Sequence, residues 1–422
     1  MCCFALSLPA AAQDSRPLIL AGAHILNPDG SAWLDGRALL INSGKIASIA
    51  PQQEIELNGG RTPKVLDCSA LYLIPGLIDL HTHLCLHPYN ETPWNDQVLK
   101  ESLELRTIRA VAAARSTLEA GFTTVRDLGT EGAGFADVAL RDASRSNLMR
   151  GPRIFASTRA IVATGCYGPA GFDPRWQVPQ GAQEATGPDE VRRAVREQIA
   201  AGADWVKLYA DYRRAPGAPA TPTFSLEELK AAVDEARSAG KPVAVHATTD
   251  EGIRRAVLAG VTTIEHGYGA SRETFQLMKD KGIALCPTMA AAEAIVLYSG
   301  WHPEQTEKPI PPSVQLSRDS FKLALEVGVT IACGSDAGVF PHGSNAREIE
   351  LMVAAGMTPT QGLRAATITA AHILGKDKEL GALEIGYVAD IVVLRADPLA
   401  DIAALRNPAL VISRGQIIVQ GK

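Results

Sequence analysis

From residue 71 onward the chain alternates short apolar runs with longer stretches of helical period, and few folds accept that pattern. A strand, a helix and a second strand in one sheet must run parallel, because the helix supplies the crossover. The runs are "LYLIPGLIDLH", "GFTTVRDLG" (121–129), "RIFASTRAI" (153–161), "DWVKLYA" (204–210), "PVAVHA" (242–247), "VTTIEHG" (261–267), "IALCPT" (283–288) and "VTIACGSDA" (329–337). Eight such strands close a (β/α)8 barrel, so the fold class expected is α/β, with a TIM barrel over residues 71–382. Between the runs, "SLEELKAAVDEARSAG" (225–240) carries a capping box in Ser225 and Glu228 and a stop at Gly240. The intervals 164–188, 209–222 and 289–312 are expected to be loops that set specificity.

The two ends read differently. Residues 17–70 and 383–422 hold strand-like runs such as "LILAGAHIL", "ALLINSGKIASIA", "ADIVVLRAD" and "LVISRGQIIVQGK", separated by turn residues. Neither end is large enough to bury its own core, so the simplest arrangement is a small β-sandwich assembled from both termini.

Strand alternation then selects which residues enter the central space. If Val206 and Leu208 face the helices, Lys207 faces inward; Val243 and Val245 leave His246 inward; Ile331 and Cys333 leave Asp336 inward. Ile78 and Leu80 facing out place Asp79, His81 and His83 inside. In "VTTIEHG" the pattern sends His266 inward and Glu265 toward the helices. Each residue has a plainer reading: a core histidine satisfied by a hydrogen bond, a helix-capping aspartate, a lysine whose ammonium reaches water. Their coincidence at the ends of five runs favours a shared role, because a divalent cation satisfies several buried imidazoles and a carboxylate together.

Composition narrows the partners. A net charge of −5 gives no basic stripe for a phosphate backbone, so nucleic acid is not expected. Seven scattered cysteines without CxxC spacing read as small buried hydrophobes. No run approaches the ~18 apolar residues of a membrane span. Residues 1–13, "MCCFALSLPAAAQ", resemble a truncated export signal, which points to a periplasmic or secreted protein, with a disordered apolar tail in the cytoplasm as the alternative.

"PGLIDLHTH", the lysine of the fourth run, the two later histidines and "GSDAG" resemble, in order and spacing, the amidohydrolase superfamily over nearly the whole chain. The resemblance implies two Zn2+ ions, one held by His81, His83 and Asp336 and the other by His246 and His266, bridged by a carboxylated Lys207. It implies a shared hydroxide as nucleophile, with Asp336 moving its proton to the leaving amine. An ammonium would repel two dications, whereas a carbamate offers two anionic oxygens. Within the superfamily, "PHGSNAREIELMVAAGMTPTQGLRAATITAAHILG" and "LGALEIGYVADIVVL" resemble the branch of imidazolonepropionase-related enzymes, metal-dependent Xaa-Pro dipeptidases and ochratoxin-hydrolysing amidohydrolases. That branch implies amide substrates such as N-acyl amino acids or dipeptides, and often a homo-oligomer. Where its members read GGHG after the third run, this chain has Gly165, Cys166, Tyr167 and Gly168. Candidate substrate contacts are His342, Tyr167, Tyr209 and Arg347, the last three as donors to a free carboxylate. A mononuclear deaminase on the same fold is the rival reading, but its glutamate three residues after the fifth-run histidine is Thr249 here. A non-catalytic scaffold is the other.

Overall fold

The computed structural model describes residues 16–55, 62–173, 175–215, 217–305 and 307–420. The signal-like segment lies outside them, as do Cys2 and Cys3. The other five cysteines are free and buried, as expected of small apolar side chains.

The parallel strands form two sheets. One joins Leu77–Thr82, Phe122–Asp127 and Arg153–Ala156; the other runs Gln183–Ala185, Ile161–Ala163, Val206–Tyr209, Val243–Ala247, Thr263–His266, Ala284–Cys286. Their edges approach on both sides. The Asp204 and Trp205 N–H groups donate to Ala156 O, and single bridges pair Leu285 with Ile331 and Thr82 with Ala337. Residues 329–337 therefore contribute bridges rather than a strand, and the run 153–161 divides into two strands around Thr158, which takes φ 62°.

Outward side chains behave as alternation requires. Val206, Leu208, Val243, Val245, Ile264, Ile331 and Cys333 join one apolar cluster with helix residues such as Val195, Leu229 and Phe275. Each such buried aliphatic side chain contributes about 1.5–3 kcal/mol. The capping box at Ser225 and Glu228 forms on the helix Leu226–Ser238, and Gly240 follows with φ 67°.

All three expected loops contain ordered elements, the first of them the strand Gln183–Ala185 within 164–188. Residues 209–222 contain an antiparallel hairpin, Asp211–Arg213 with Ala220–Pro222. The interval 289–312 opens with the helix Met289–Tyr298, whose apolar residues fall on every side, so no helical stripe marks it in the sequence.

The chain ends share one sheet, in the order Gln416–Gln420, Leu410–Ser413, Ile391–Leu394, Tyr72–Pro75, Leu18–Leu26, Trp33–Asn42, Lys45–Ala50, with Lys64–Asp67 also on Leu18–Leu26. One hydrogen-bonded path links seven of these strands, and Lys64–Asp67 branches from Leu18–Leu26. Its main core includes Leu20, Ile25, Leu39, Leu73, Ile391 and Ile412, and a smaller cluster holds Ile19, Ala38 and Leu40. The strand expected to begin at Leu71 is cut at Gly76, so that Tyr72–Pro75 belongs to this sheet and Leu77–Thr82 to the parallel one.

A Cβ on Gly76 would fall 2.1 Å from Thr123 Oγ1 and 2.9 Å from Asp390 Cβ. Gly76→Ala is therefore expected to lower unfolding stability by about 1–3 kcal/mol, read as a lower urea midpoint at unchanged slope.

Candidate metal centre

Four histidines and an aspartate converge at the C-terminal ends of the parallel strands. His81 closes Leu77–Thr82 and His83 follows it; His246 and His266 end their strands; Asp336 comes from the segment bridged to Thr82. The ring centroids of His81 lie 5.3 Å from His83 and 5.2 Å from His266, and His266 lies 4.4 Å from His246. His81, His83 and Asp336 each bring a ligand atom within 4.8 Å of the others.

The outer nitrogens are held so that the inner ones stay free. His81 Nδ1 pairs with Glu265 Oε2 at 2.8 Å, His83 Nδ1 donates to Gly129 O at 2.8 Å, and His266 Nδ1 meets Thr288 Oγ1 at 2.6 Å. The Nε2 atoms of His81 and His83 then lie 3.7 and 3.3 Å from Asp336 Oδ1. This is how proteins orient metal-binding imidazoles.

Glu265 corrects the expected parity. It is fully buried among the inward groups, where Arg126 Nη2 donates to it at 2.9 Å and Thr263 Oγ1 at 2.5 Å. Thr263 and Glu265 occupy the inward positions of the strand, and His266 joins them only because its backbone turns left-handed, φ 72°. Asp336, φ 63°, and Thr288, φ 51°, take the same sparsely populated conformation beside it. Pattern reading assumes β geometry throughout and misses such a turn.

Asp79 touches no imidazole ring. Its carboxylate accepts from His81 N, Ser335 N, Ser335 Oγ and Asn345 Nδ2 at 2.5–3.0 Å, tying the backbone of one candidate ligand to the residue before another. Burial pushes its carboxyl up to about 6.

Electrostatics suit cation binding. Burial drives the imidazoles of His81 and His246 well below their ordinary value and that of His266 to about 4, which favours neutral ligands. Burial opposes charge on His83 too, but Asp336 pushes it up to about 9. Against its own burial, Asp336 is held well below the usual carboxylate range by His81 and His83. Lys207 is 1% exposed, its Nζ has no hydrogen-bond partner, and burial lowers its ammonium to about 8. A buried amine without an acceptor is costly unless modified or bound. The donor set therefore fits a metal ion.

The cavity in front of these residues measures about 340 Å³ and is walled by aromatic side chains. Tyr209 stacks on His246 at 4.4 Å; Tyr167 packs on Tyr209, Tyr212 and Trp94. Tyr167 and Tyr209 thus line the site as expected, although the Tyr167 hydroxyl donates to the buried Glu131, which sequence reasoning missed. The other two expected substrate contacts lie elsewhere. His342 Nε2 is 3.2 and 3.3 Å from the carbonyl oxygens of His83 and Leu86, so it braces the backbone beneath a candidate ligand and lines no part of the cavity. Arg347 is paired with Glu293 and Glu350 in a different cavity, of about 620 Å³, on the other side of Met289–Tyr298. Position in the sequence places both near Asp336 but cannot say which way each side chain turns.

A family model for the amidohydrolase family matches residues 72–418. The chain belongs to the amidohydrolase family. With that membership comes its chemistry, that of a hydrolase acting on C–N bonds. It is 32% identical to ochratoxinase from Aspergillus niger over 96% of this chain and 86% of that one. The crystal structure of A. niger ochratoxinase superposes with a TM-score of 0.79 at 28% identity, covering 96% of each. A Xaa-Pro dipeptidase with bound methionine in its active site gives a TM-score of 0.83 at 31% identity, over 96% of this chain and all of that one. Imidazolonepropionase of Symbiobacterium thermophilum is 25% identical over 93% and 92% of the two chains. No helix among the described residues is long and apolar enough to cross a membrane.

Because Glu265 neutralises buried Arg126 and holds His81, Glu265→Ala is expected to cost about 3–5 kcal/mol in urea unfolding. The same variant is expected to bind metal about 10- to 100-fold more weakly in competition with a chromogenic chelator.

Proposed function

We propose that this chain is a binuclear zinc hydrolase that cleaves the amide bond of N-acyl amino acids or dipeptides, with ochratoxin A and Xaa-Pro dipeptides as the two substrates to compare first. The observation that carries this reading is the buried, unpartnered Nζ of Lys207 among four histidines and Asp336. His81, His83 and Asp336 would hold one ion and His246 and His266 the other, with a Lys207 carbamate between them. A neutral amine is the form that adds carbon dioxide, and burial keeps the Lys207 ammonium weak enough to supply it. When bound, the ions polarise the amide carbonyl and make water acidic enough to attack near neutral pH.

The chain's own residues do the rest. Asp336 takes the proton of the attacking water on its carboxylate and returns it to the leaving nitrogen. Tyr209, Tyr167 and Tyr212 wall the cavity with apolar ring surface, which lowers the local dielectric around the developing charge. The Glu265–Arg126 pair and the Gly129 and Thr288 acceptors keep the imidazoles from rotating.

The two parallel sheets, joined at their edges through Ala156 on one side and through Leu285, Ile331, Thr82 and Ala337 on the other, support a (β/α)8 barrel that begins at the strand Leu77–Thr82 rather than at residue 71. Residues 17–70 and 383–422, with Tyr72–Pro75 between their strands, would form the accompanying β domain. The deaminase reading finds no support at Thr249, whose hydroxyl accepts from Gly252 N to cap a helix and donates to Asp211.

Metal analysis of protein loaded with zinc and bicarbonate is expected to give two zinc ions per chain. Chelation should abolish hydrolysis of benzoyl-L-phenylalanine, ochratoxin A and Xaa-Pro dipeptides, and zinc with bicarbonate should restore it. Lys207→Ala should lower kcat by roughly 10³-fold. One ion per chain with deamination would establish the rival reading instead, and no metal with no turnover would leave a scaffold. Turnover of Xaa-Pro dipeptides well above the aromatic amides would place the substrate with the dipeptidases.

A further inference from the structure

A cavity of about 330 Å³ lies where two of the parallel strands begin, whereas the metal centre stands where the parallel strands finish. Leu118 and Met149 on its wall lead into Phe122–Asp127 and Arg153–Ala156, and Arg414 and Ile417 come from the hairpin Leu410–Ser413/Gln416–Gln420. The cavity therefore sits in the seam between the parallel strands and the sheet built by the chain ends. Its charge is one-sided. Arg150 and Arg414 line it, and among the described residues no aspartate or glutamate does, in a chain whose net charge is −5.

Neither arginine is neutralised from within. Arg150 is exposed and makes no hydrogen bond or ion pair with a described residue. The half-buried Arg414 guanidinium donates to Ser144 O at 2.8 Å and to Ser144 Oγ at 3.3 Å, neutral acceptors that fix its direction without cancelling its charge. The nearby carboxylate of Asp390 is already engaged, by Arg153 Nη1 at 2.9 Å and by the backbone Arg414 N at 2.7 Å. Burial, and then the neighbouring Arg153, hold the Arg414 guanidinium below its ordinary value, as befits positive charge short of a counter-ion. Arg414 also opens a two-residue hairpin turn with φ 50°, a position where glycine or asparagine is the unstrained choice.

We infer that this cavity binds a small phosphate monoester, its dianion held by Arg150 and Arg414 and its organic body laid against Leu118, Met149, Ile417 and Ile418. Guanidinium groups match phosphate oxygens through paired N–H donors, and a doubly charged anion neutralises two arginines at once where a carboxylate neutralises one. The apolar wall rewards a ligand that carries more than the phosphate. Because Arg150 precedes a parallel strand and Arg414 turns in the sheet of the chain ends, the bound anion ties these two parts together. The site is independent of the metal centre and of the amide-hydrolase reading.

The test titrates the full-length protein, as purified and again after chelation of any bound metal, with phenyl phosphate, inorganic phosphate and benzoate in calorimetry at slightly alkaline pH and constant ionic strength. Phenyl phosphate is expected to bind one per chain with the same Kd in both preparations, and inorganic phosphate and benzoate each about 10-fold or more weakly. Arg150 has no internal partner, so Arg150→Met keeps the fold and should raise Kd for phenyl phosphate by about 10- to 100-fold, with Arg150→Lys recovering part of the loss. Arg414→Lys should weaken binding as well. Absence of phenyl phosphate binding, binding that disappears on chelation, or equal affinity in the wild type and Arg150→Met would overturn the assignment. Benzoate binding as tightly as phenyl phosphate would overturn the phosphate class.

Discussion

The carboxylate of Glu265 is where the two halves of this site are joined. One oxygen receives Arg126 and Thr263, the other holds His81, and all of it lies in the dry interior where the parallel strands end. Arg126 in turn donates to Leu80 O and stacks on Trp205, so one buried ion pair connects strands that begin at residues 77, 122 and 263 with the segment before Val206. A charge pair in such a place gains from Coulomb attraction only if every remaining donor is satisfied. Here the His81 imidazole donates to the second carboxylate oxygen of Glu265, and the pair thereby fixes which nitrogen of His81 faces the cavity.

Around that pair the backbone departs from regular geometry in a concentrated way. His266, Thr288, Asp336 and Glu131, all at or beside the site, adopt left-handed conformations that non-glycine residues seldom take. Each departure aims a polar side chain that strand alternation would have sent elsewhere or left unsupported. Asp79 works toward the same end by clamping the backbone of His81 to Ser335, next to Asp336. Stability is spent on holding six groups close together, the arrangement expected where like charges and bare donors await a ligand.

The aromatic wall serves the opposite face of the cavity. Tyr209 on His246, with Tyr167 and Tyr212 packed against it, surrounds the candidate ligands with ring surface, and the helix Met289–Tyr298 closes the far side through Ala291, Ala292 and Ile295. That helix also separates the site from the charged cavity of Arg347, which is why an arginine eleven residues after Asp336 takes no part in it. Ochratoxinase and the Xaa-Pro dipeptidase, both similar to this chain over nearly its whole length, differ in what their names say they act on; loops and the 211–222 hairpin are where such a difference can reside.

The sequence by itself determined the order of apolar runs, the helix cap at Ser225, and the inward placement of His81, His83, Lys207 and His246. Those follow from local periodicity, which a strand or helix imposes on its own residues. Only the tertiary structure decided that Gly76 divides one run between two sheets, that Glu265 turns inward beside His266, and that His342 and Arg347 serve other neighbours. In each of these the outcome depends on a single backbone torsion, a close approach or an ion pair with a residue distant in the chain. Periodicity carries no information about partners so far away.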